Sequence, residues 1–328
     1  MIHVVGGSGF IGTRLCQLLQ RDAQPFVIVD KRVSGDFPDQ TRVADVREPA
    51  ALSGAIDAGA VLINLAAEHR DDVRPISLYY DVNVQGAANL CEVAEAKGVR
   101  QIVFTSTVAV YGFAPVGTDE AGKIQPFNDY GRSKAQAEDV LRAWQAKAPA
   151  ERSLVIIRPT VVFGERNRGN VYNLLRQVAS GRFMMVGSGT NRKSMAYVEN
   201  VAAFIRHATG MGAGVHTYNY IDKPDFTMNH LVSVIDEALG QAGKRCPRLP
   251  FGVGLAIGHV FDAVARLTGR QFPISAIRVR KFCADSSYNT AVGSTGYQPP
   301  VPLDQALART IRHEFIEPQK EQALFYSE

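Results

Sequence analysis

Tyr130 and Lys134, in the run Tyr130-Gly131-Arg132-Ser133-Lys134, are four positions apart and share one face of a helix. A phenol titrates near pH 10, so a tyrosine works as an acid or base near neutrality only when a neighbouring cation stabilises its phenolate. Lys134 is such a cation. Upstream, Thr105, Ser106 and Thr107 close a run of β-formers, so three hydroxyls are expected at the carboxyl end of a strand. In an open α/β sheet that is where ligands sit. A hydroxyl there can hydrogen-bond the oxygen whose proton Tyr130 moves. The plainer alternatives are chance spacing for the Tyr/Lys pair and strand propensity for the hydroxyls.

A second pattern is Gly6-Gly7-Ser8-Gly9-Phe10-Ile11-Gly12, directly after an expected strand and directly before an expected helix. Glycines at this spacing permit a tight turn and let backbone N–H groups approach a pyrophosphate at the positive end of the helix. Asp30 ends the next strand 18 positions after Gly12, where a carboxylate can bind ribose hydroxyls. Together they predict a bound dinucleotide. Asp30 repels a 2′-phosphate and favours NAD, whereas Lys31 and Arg32 would attract one, so NADP stays open. An oxidised nicotinamide would also assist Lys134 in stabilising a phenolate.

These residues need a frame. Strands are expected at Ile2 to Val5, Phe26 to Asp30, Val61 to Leu65, Ile102 to Ser106 and Leu154 to Arg158, each nearly continuous in apolar residues. Helices are expected near Phe10 to Arg21, Ala50 to Ala58, Leu78 to Lys97 and Tyr130 to Lys147. The alternation predicts an α/β fold, a doubly wound parallel sheet with right-handed crossovers. Past Arg158-Pro159 it fades into Gly-rich and mixed segments. We therefore expect a dinucleotide-binding domain over residues 1–160 and a smaller substrate lobe over 161–328, with Val215 to Tyr220 able to return to the first sheet.

Composition narrows the function classes. With 328 residues, 46% apolar residues and 29 glycines, collagenous, coiled-coil and wholly disordered readings are out. A net charge of +4, scattered along the chain, argues against nucleic acid as the main partner and suits an anionic small molecule. Cys16, Cys91, Cys246 and Cys283 lie far apart without ligand spacing, so no disulfide framework and no metal site is expected, and a reducing, cytoplasmic setting fits. The N-terminus reads as a strand rather than a secretory signal. Leu249 to Leu267 is apolar but interrupted by His259, Asp262 and Arg266 on one helical face. This predicts an amphipathic helix packed on the protein or a partner subunit, with lying on a membrane surface as the alternative and no transmembrane segment.

The sequence resembles the extended short-chain dehydrogenase/reductase family, in its NAD-dependent epimerase/dehydratase branch acting on nucleotide sugars. The resemblance covers nearly the whole chain. It is carried by the glycine turn, Asp30, Asp45-Val46, Asn64-Leu65-Ala66-Ala67, Asn83-Val84-Gln85-Gly86, Ser106-Thr107 with Val110-Tyr111-Gly112, Tyr130 to Lys134, and Arg158-Pro159-Thr160 before Phe163-Gly164. It implies a Rossmann-type fold, a homodimer and NAD held by Gly6, Gly9, Phe10, Ile11, Gly12, Asp30, Lys31 and Arg32. It further implies Asp45 and Val46 beside the adenine, Leu65, Ala66 and Ala67 along the dinucleotide, Asn83 supporting the active-site helix and grouped with the cofactor contacts, and Pro159 by the nicotinamide. Thr107 takes the place of the catalytic Ser/Thr, Tyr130 of the acid/base and Lys134 of the lysine holding the nicotinamide ribose.

One departure narrows the reaction. Sugar 4,6-dehydratases of the family carry an Asp-Glu pair after the catalytic Thr; here Val108 and Ala109 stand there, and neither transfers a proton. Epimerisation or ketone/alcohol redox is left. In the second lobe, Lys193 and Arg192 match the segment that meets the nucleotide diphosphate of the substrate. Arg278, with Arg280, falls where a second basic contact is usual, and Asn170, with Asn173, could meet substrate; solvent exposure is the alternative for all four. The segment Leu249 to Leu267 with Arg266 to Arg270 and Pro273 to Ser275 also resembles hydroxysteroid-type dehydrogenases, so a lipid-alcohol dehydrogenase is the main rival. A non-catalytic dinucleotide sensor is a further one, opposed by the intact Thr107, Tyr130 and Lys134.

Overall fold

The computed structural model describes residues 1–70, 73–241, 246–269, 275–317 and 323–326. Arg270, Pro273 and Ile274 of the hydroxysteroid-like segment lie outside them.

The first half runs β1 (Ile2–Val5), α1 (Phe10–Arg21), β2 (Phe26–Asp30), β3 (Thr41–Val43), α2 (Pro49–Ala55), β4 (Val61–Asn64) and α3 (Ser77–Tyr80). A π turn (Asp81–Gln85) leads into α4 (Gly86–Ala96), then come β5 (Gln101–Thr105), a 3-10 turn (Val108–Tyr111), α5 (Asp129–Ala146) and β6 (Ser153–Pro159). The second half runs β7 (Val161–Phe163), α6 (Asn170–Ala179), β8 (Met185–Val186), β9 (Arg192–Tyr197), α7 (Val198–Ala208), β10 (Gly214–Tyr220) and β11 (Asp222–Thr227). It closes with α8 (Met228–Ala238), β12 (Arg248–Leu249), α9 (Phe251–Thr268), α10 (Ala276–Cys283) and α11 (Leu303–Ile311).

Seven strands form one sheet in the order β10-β6-β5-β4-β1-β2-β3, all parallel. The apolar runs are continuous in the five inner strands because each of these faces a core on both sides. Val5, Val27, Val29, Leu62, Ile102, Phe104, Leu154 and Ile156 meet Leu90 of α4 and Leu141 and Trp144 of α5 on one face. On the other, Val4, Ile28, Ile63, Val103, Val155 and Ile157 meet Leu15 and Leu19 of α1 and Phe204 and Ile205 of α7. The edge strand β10 comes from the second half of the chain, pairing along its length from Gly214↔Ser153 to Tyr220↔Pro159.

The second lobe is built on the small sheet β11-β9-β7 and a core that joins Phe163, Leu175, Met195, Phe226, Leu231, Ile235 and Leu307. Beside it α9 and α10 form a hairpin. A Cβ on Gly258 would lie 2.7 Å from the Ala276 backbone, so glycine is what lets the two helices touch. Within this chain α9 buries only Gly254 and Gly258, so the expected packing on the protein itself is slight. Val253, Ile257, Val260, Val264 and Leu267 recur at helical spacing and are all exposed, Leu267 at 87%. By length and composition alone the helix could cross a membrane.

Candidate active site

The strand order reverses between β1 and β4, and in open α/β sheets the crevice above such a point receives the ligand. Here it is a cleft of about 720 Å³. Gly6 takes φ +79°, and a Cβ on it would stand 2.5 Å from the Ala66 nitrogen; one on Gly12 would lie 2.6 Å from Gly7 Cα. The turn thus needs glycine to bring α1 against the strand ends. Gly9 precedes α1 without a side-chain cap, leaving first-turn N–H groups available to phosphate oxygens. Gly6, Gly9, Phe10, Ile11, Gly12, Asp30, Lys31, Asp45, Val46, Leu65, Ala66, Ala67 and Pro159 all line the cleft. Asp30 is held by backbone N–H donors, Ser8 to Oδ2 (3.0 Å) and Arg32 to Oδ1 (3.1 Å). Arg47 bonds Asp45 and keeps its carboxyl below the ordinary range. Chain shape and donor set therefore fit NAD.

At the ends of β5 and α5 the cleft brings together Thr107, Tyr130 and Lys134. Asn128 caps α5 by accepting the Gly131 N–H at 2.9 Å, which starts the helix one residue before Tyr130. The ring of Tyr130 packs 6.4 Å from that of Tyr79. Lys134 is 2% exposed; its Nζ donates to the Thr105 carbonyl at 2.6 Å and lies 4.2 Å over the Phe104 ring. Burial lowers its pKa to about 7, against the opposing pull of Glu138. Glu138 in turn takes Arg158 at 2.5 and 2.9 Å and the Ser106 hydroxyl at 2.6 Å. This buried network ties α5 to β5 and β6. Thr107 Oγ1 accepts the Ala109 N–H at 3.1 Å, so its own hydroxyl hydrogen remains to donate. Val108 and Ala109 line the cleft beside it.

Five expected contacts lie elsewhere. Arg32 is exposed and outside the cleft lining, its backbone serving Asp30 instead. Asn83 sits in the π turn and bonds the Glu68 backbone and Ser133 Oγ (2.9 Å), so it braces α5 without reaching the cleft. Arg192 and Lys193 are consecutive in β9 and point to opposite faces, which leaves only Lys193 on the cleft. Asn170 is exposed where α6 begins; Asn167, in the preceding loop, lines the cleft in its place. Arg278 is exposed on α10, and Lys281, three residues on, is the α10 residue that faces the cleft.

Sequence reasoning missed the outer part of the cleft. Phe113, Val116 and Phe127 line it from the loop between the 3-10 turn and α5, Lys281 from α10, and Asp285 and Tyr288 from beyond α10. Lys193 Nζ donates to the carbonyls of Lys281 (2.9 Å) and Ala284 (2.7 Å), fixing the end of α10. Only contact between segments distant in the sequence joins these groups, and no local pattern marks them. Among the described residues no group of three His, Cys, Asp or Glu side chains could hold a metal ion.

Comparison with known proteins agrees with this geometry. Residues 2–220 match the model of the NAD dependent epimerase/dehydratase family. N-acetyl-alpha-D-glucosaminyl-diphospho-ditrans,octacis-undecaprenol 4-epimerase of Escherichia coli O157:H7 is 49% identical over 331 residues, covering 100% of this chain and 99% of that protein. UDP-glucose 4-epimerase of Vibrio cholerae is 28% identical, covering 94% of each. Among solved structures, MoeE5 in complex with UDP-glucuronic acid and NAD superposes with a TM-score of 0.74 at 22% identity, covering 95% of this chain and 98% of that one. A family match spanning the whole sheet, together with a cleft shaped for the dinucleotide, establishes that this chain is an NAD-dependent enzyme of the epimerase/dehydratase family.

Proposed function

We propose that the protein is a 4-epimerase of an N-acetylhexosamine carried through a diphosphate on a polyprenol. The observation that carries this reading is the full-length, 49% identity with an enzyme named for that reaction. Tyr130 takes the proton of the sugar 4-hydroxyl, and Thr107 donates a hydrogen bond to the same oxygen. Lys134, charged when an anion is near, stabilises the Tyr130 phenolate. NAD held by the Gly6 to Gly12 turn, Asp30 and Pro159 would supply the acceptor and donor for the C4 hydride. The 4-keto sugar turns over in between, so C4 regains the hydride on its other face while Tyr130 returns the proton to the 4-oxygen. Val108 and Ala109 leave nothing to expel a C6 hydroxyl, which argues against dehydration.

Such a substrate resides in a membrane, which gives α9 an occupant. Its apolar stripe lies on the bilayer, with exposed Arg278 and Arg280 of the adjoining α10 near anionic headgroups. The four free thiols fit the reducing cytoplasmic side. A homodimer through the same stripe is the second reading of that helix; vesicle flotation supports the first and sedimentation of a detergent-free dimer the second. The activity test incubates purified protein and NAD with N-acetylglucosaminyl-diphospho-polyprenol or with UDP-N-acetylglucosamine and analyses the released sugar. Appearance of N-acetylgalactosamine from the lipid supports the reading. Conversion of the UDP-sugar alone replaces it with a nucleotide-sugar epimerase.

A further inference from the structure

Two aromatic rings stand in water at the mouth of the cleft. Phe113 is 72% exposed and Phe127 45%, yet their rings stack at 4.7 Å and 29°. The stack is built. Gly112 takes φ +66°, and a Cβ there would lie 2.1 Å from the Gln125 carbonyl, so glycine is what draws Phe113 to the Gln125–Phe127 segment. Lys281 Nζ stands 4.8 Å from the Phe127 centroid and 5.7 Å from that of Phe113, on a helix end that Lys193 clamps. Val116, 63% exposed, extends the same rim.

We infer that Phe113, Val116 and Phe127 form the subsite for the first isoprene units of the substrate's polyprenyl chain, with Lys281 on the adjoining diphosphate. This rests on the lipid-linked reading above. Phe113, Val116 and Phe127 line the same cleft as Tyr130 and Thr107 and are exposed, so they are placed to meet a group joined to the sugar diphosphate. A cation directly beside stacked rings matches an amphiphile whose anionic head adjoins its apolar tail. A nucleotide base needs in-plane donors and acceptors, and Phe113, Ala114, Val116 and Phe127 have no such side-chain groups. The rim is also continuous with the lipid side of the molecule, because α10 carries Lys281 at one end and packs on α9 along its length.

The test compares three substrates with the unaltered enzyme and with Phe113→Ala/Phe127→Ala: N-acetylglucosaminyl diphosphate esterified to a polyprenol, the same diphosphate as its methyl ester, and UDP-N-acetylglucosamine. The double variant should raise KM for the polyprenyl ester at least tenfold with kcat within twofold, and KM for the methyl ester less than threefold. Phe113→Leu/Phe127→Leu, which keeps apolar surface, should recover most of the loss. Lys281→Met should raise KM for both esters. Equal KM shifts for the two esters, or none, overturn the subsite. A rise for UDP-N-acetylglucosamine as large as for the polyprenyl ester overturns it in favour of a base-stacking site. If the unaltered enzyme converts only the UDP-sugar, the lipid-linked reading itself falls and takes the subsite with it; if it converts the polyprenyl ester and the variants do not change KM, the subsite alone falls.

Discussion

Two helices of 18 residues, α5 and α9, use their surfaces in opposite ways. The charged one is inside. α5 buries Gly131, Ser133, Lys134, Ala137, Glu138, Leu141, Trp144 and Gln145, whereas the far more apolar α9 buries only two glycines. Composition therefore states what a helix is able to bury, and the rest of the chain decides whether anything meets it. The polar groups of α5 are tolerated because Lys134 finds the Thr105 carbonyl and Glu138 finds Arg158 of β6. Among the described residues α9 buries only Gly254, against Val186 and Leu249, and Gly258, against α10, while its stripe from Val253 to Leu267 stays exposed.

The contrast can be broken at several points. Tyr130→Phe should cut turnover by at least about a hundredfold while NAD affinity, followed by fluorescence titration, stays within about threefold. Retained turnover would leave α5 a structural helix like any other. Leu141→Ala, at a fully buried position, should cost about 2–5 kcal/mol in urea unfolding, against under about 0.5 kcal/mol for Leu267→Ala on α9. Equal costs would erase the difference between the helices.

Lys134→Met should abolish most activity yet stabilise the cofactor-free protein at pH 6 by about 1–3 kcal/mol. The sign follows from its folded pKa of about 7 against about 10.4 in the unfolded chain. Between these values the unfolded chain binds the extra proton, so stability gained from this site rises with pH across that window and the penalty is full below it. The variant should lose that rise in melts at pH 6 and pH 9. The smallest stability change belongs to Val260→Glu/Leu267→Glu, under about 0.5 kcal/mol, but flotation with anionic vesicles should fall severalfold.

Much of the inner site was legible because it is local. β1, β2 and α1 coincide with their expected bounds, and the Gly6 to Gly12 turn, Asp30, Thr107 and the Tyr130/Lys134 pair each lie within or beside one element. Short pieces escaped: β3 has three residues, and β8 and β12 two each, too few for a period to register. The pattern from Leu78 to Lys97 predicts one helix, but the π turn interrupts it where Asn83 reaches across to Glu68 and Ser133. In the outer cleft, sequence pointed to Arg192 and Arg278 as well as Lys193. Strand alternation excludes the first, and the choice of Lys281 over Arg278 is set by how α10 lies on α9, which no local pattern encodes.

The placement of β10 carries a consequence for how the protein is made. Until Gly214–Tyr220 arrives, β6 presents all seven of its buried residues along a bare, hydrogen-bonding edge. Tyr220 follows its partner Pro159 by 61 residues, a delay of about 3–12 s at ordinary rates of synthesis. During that interval the nascent chain holds its glycine turn, Tyr130 and Lys134 but not a closed sheet. A fragment ending near residue 160 should therefore sediment as aggregate, while one extended through residue 220 gains the strand that caps the edge.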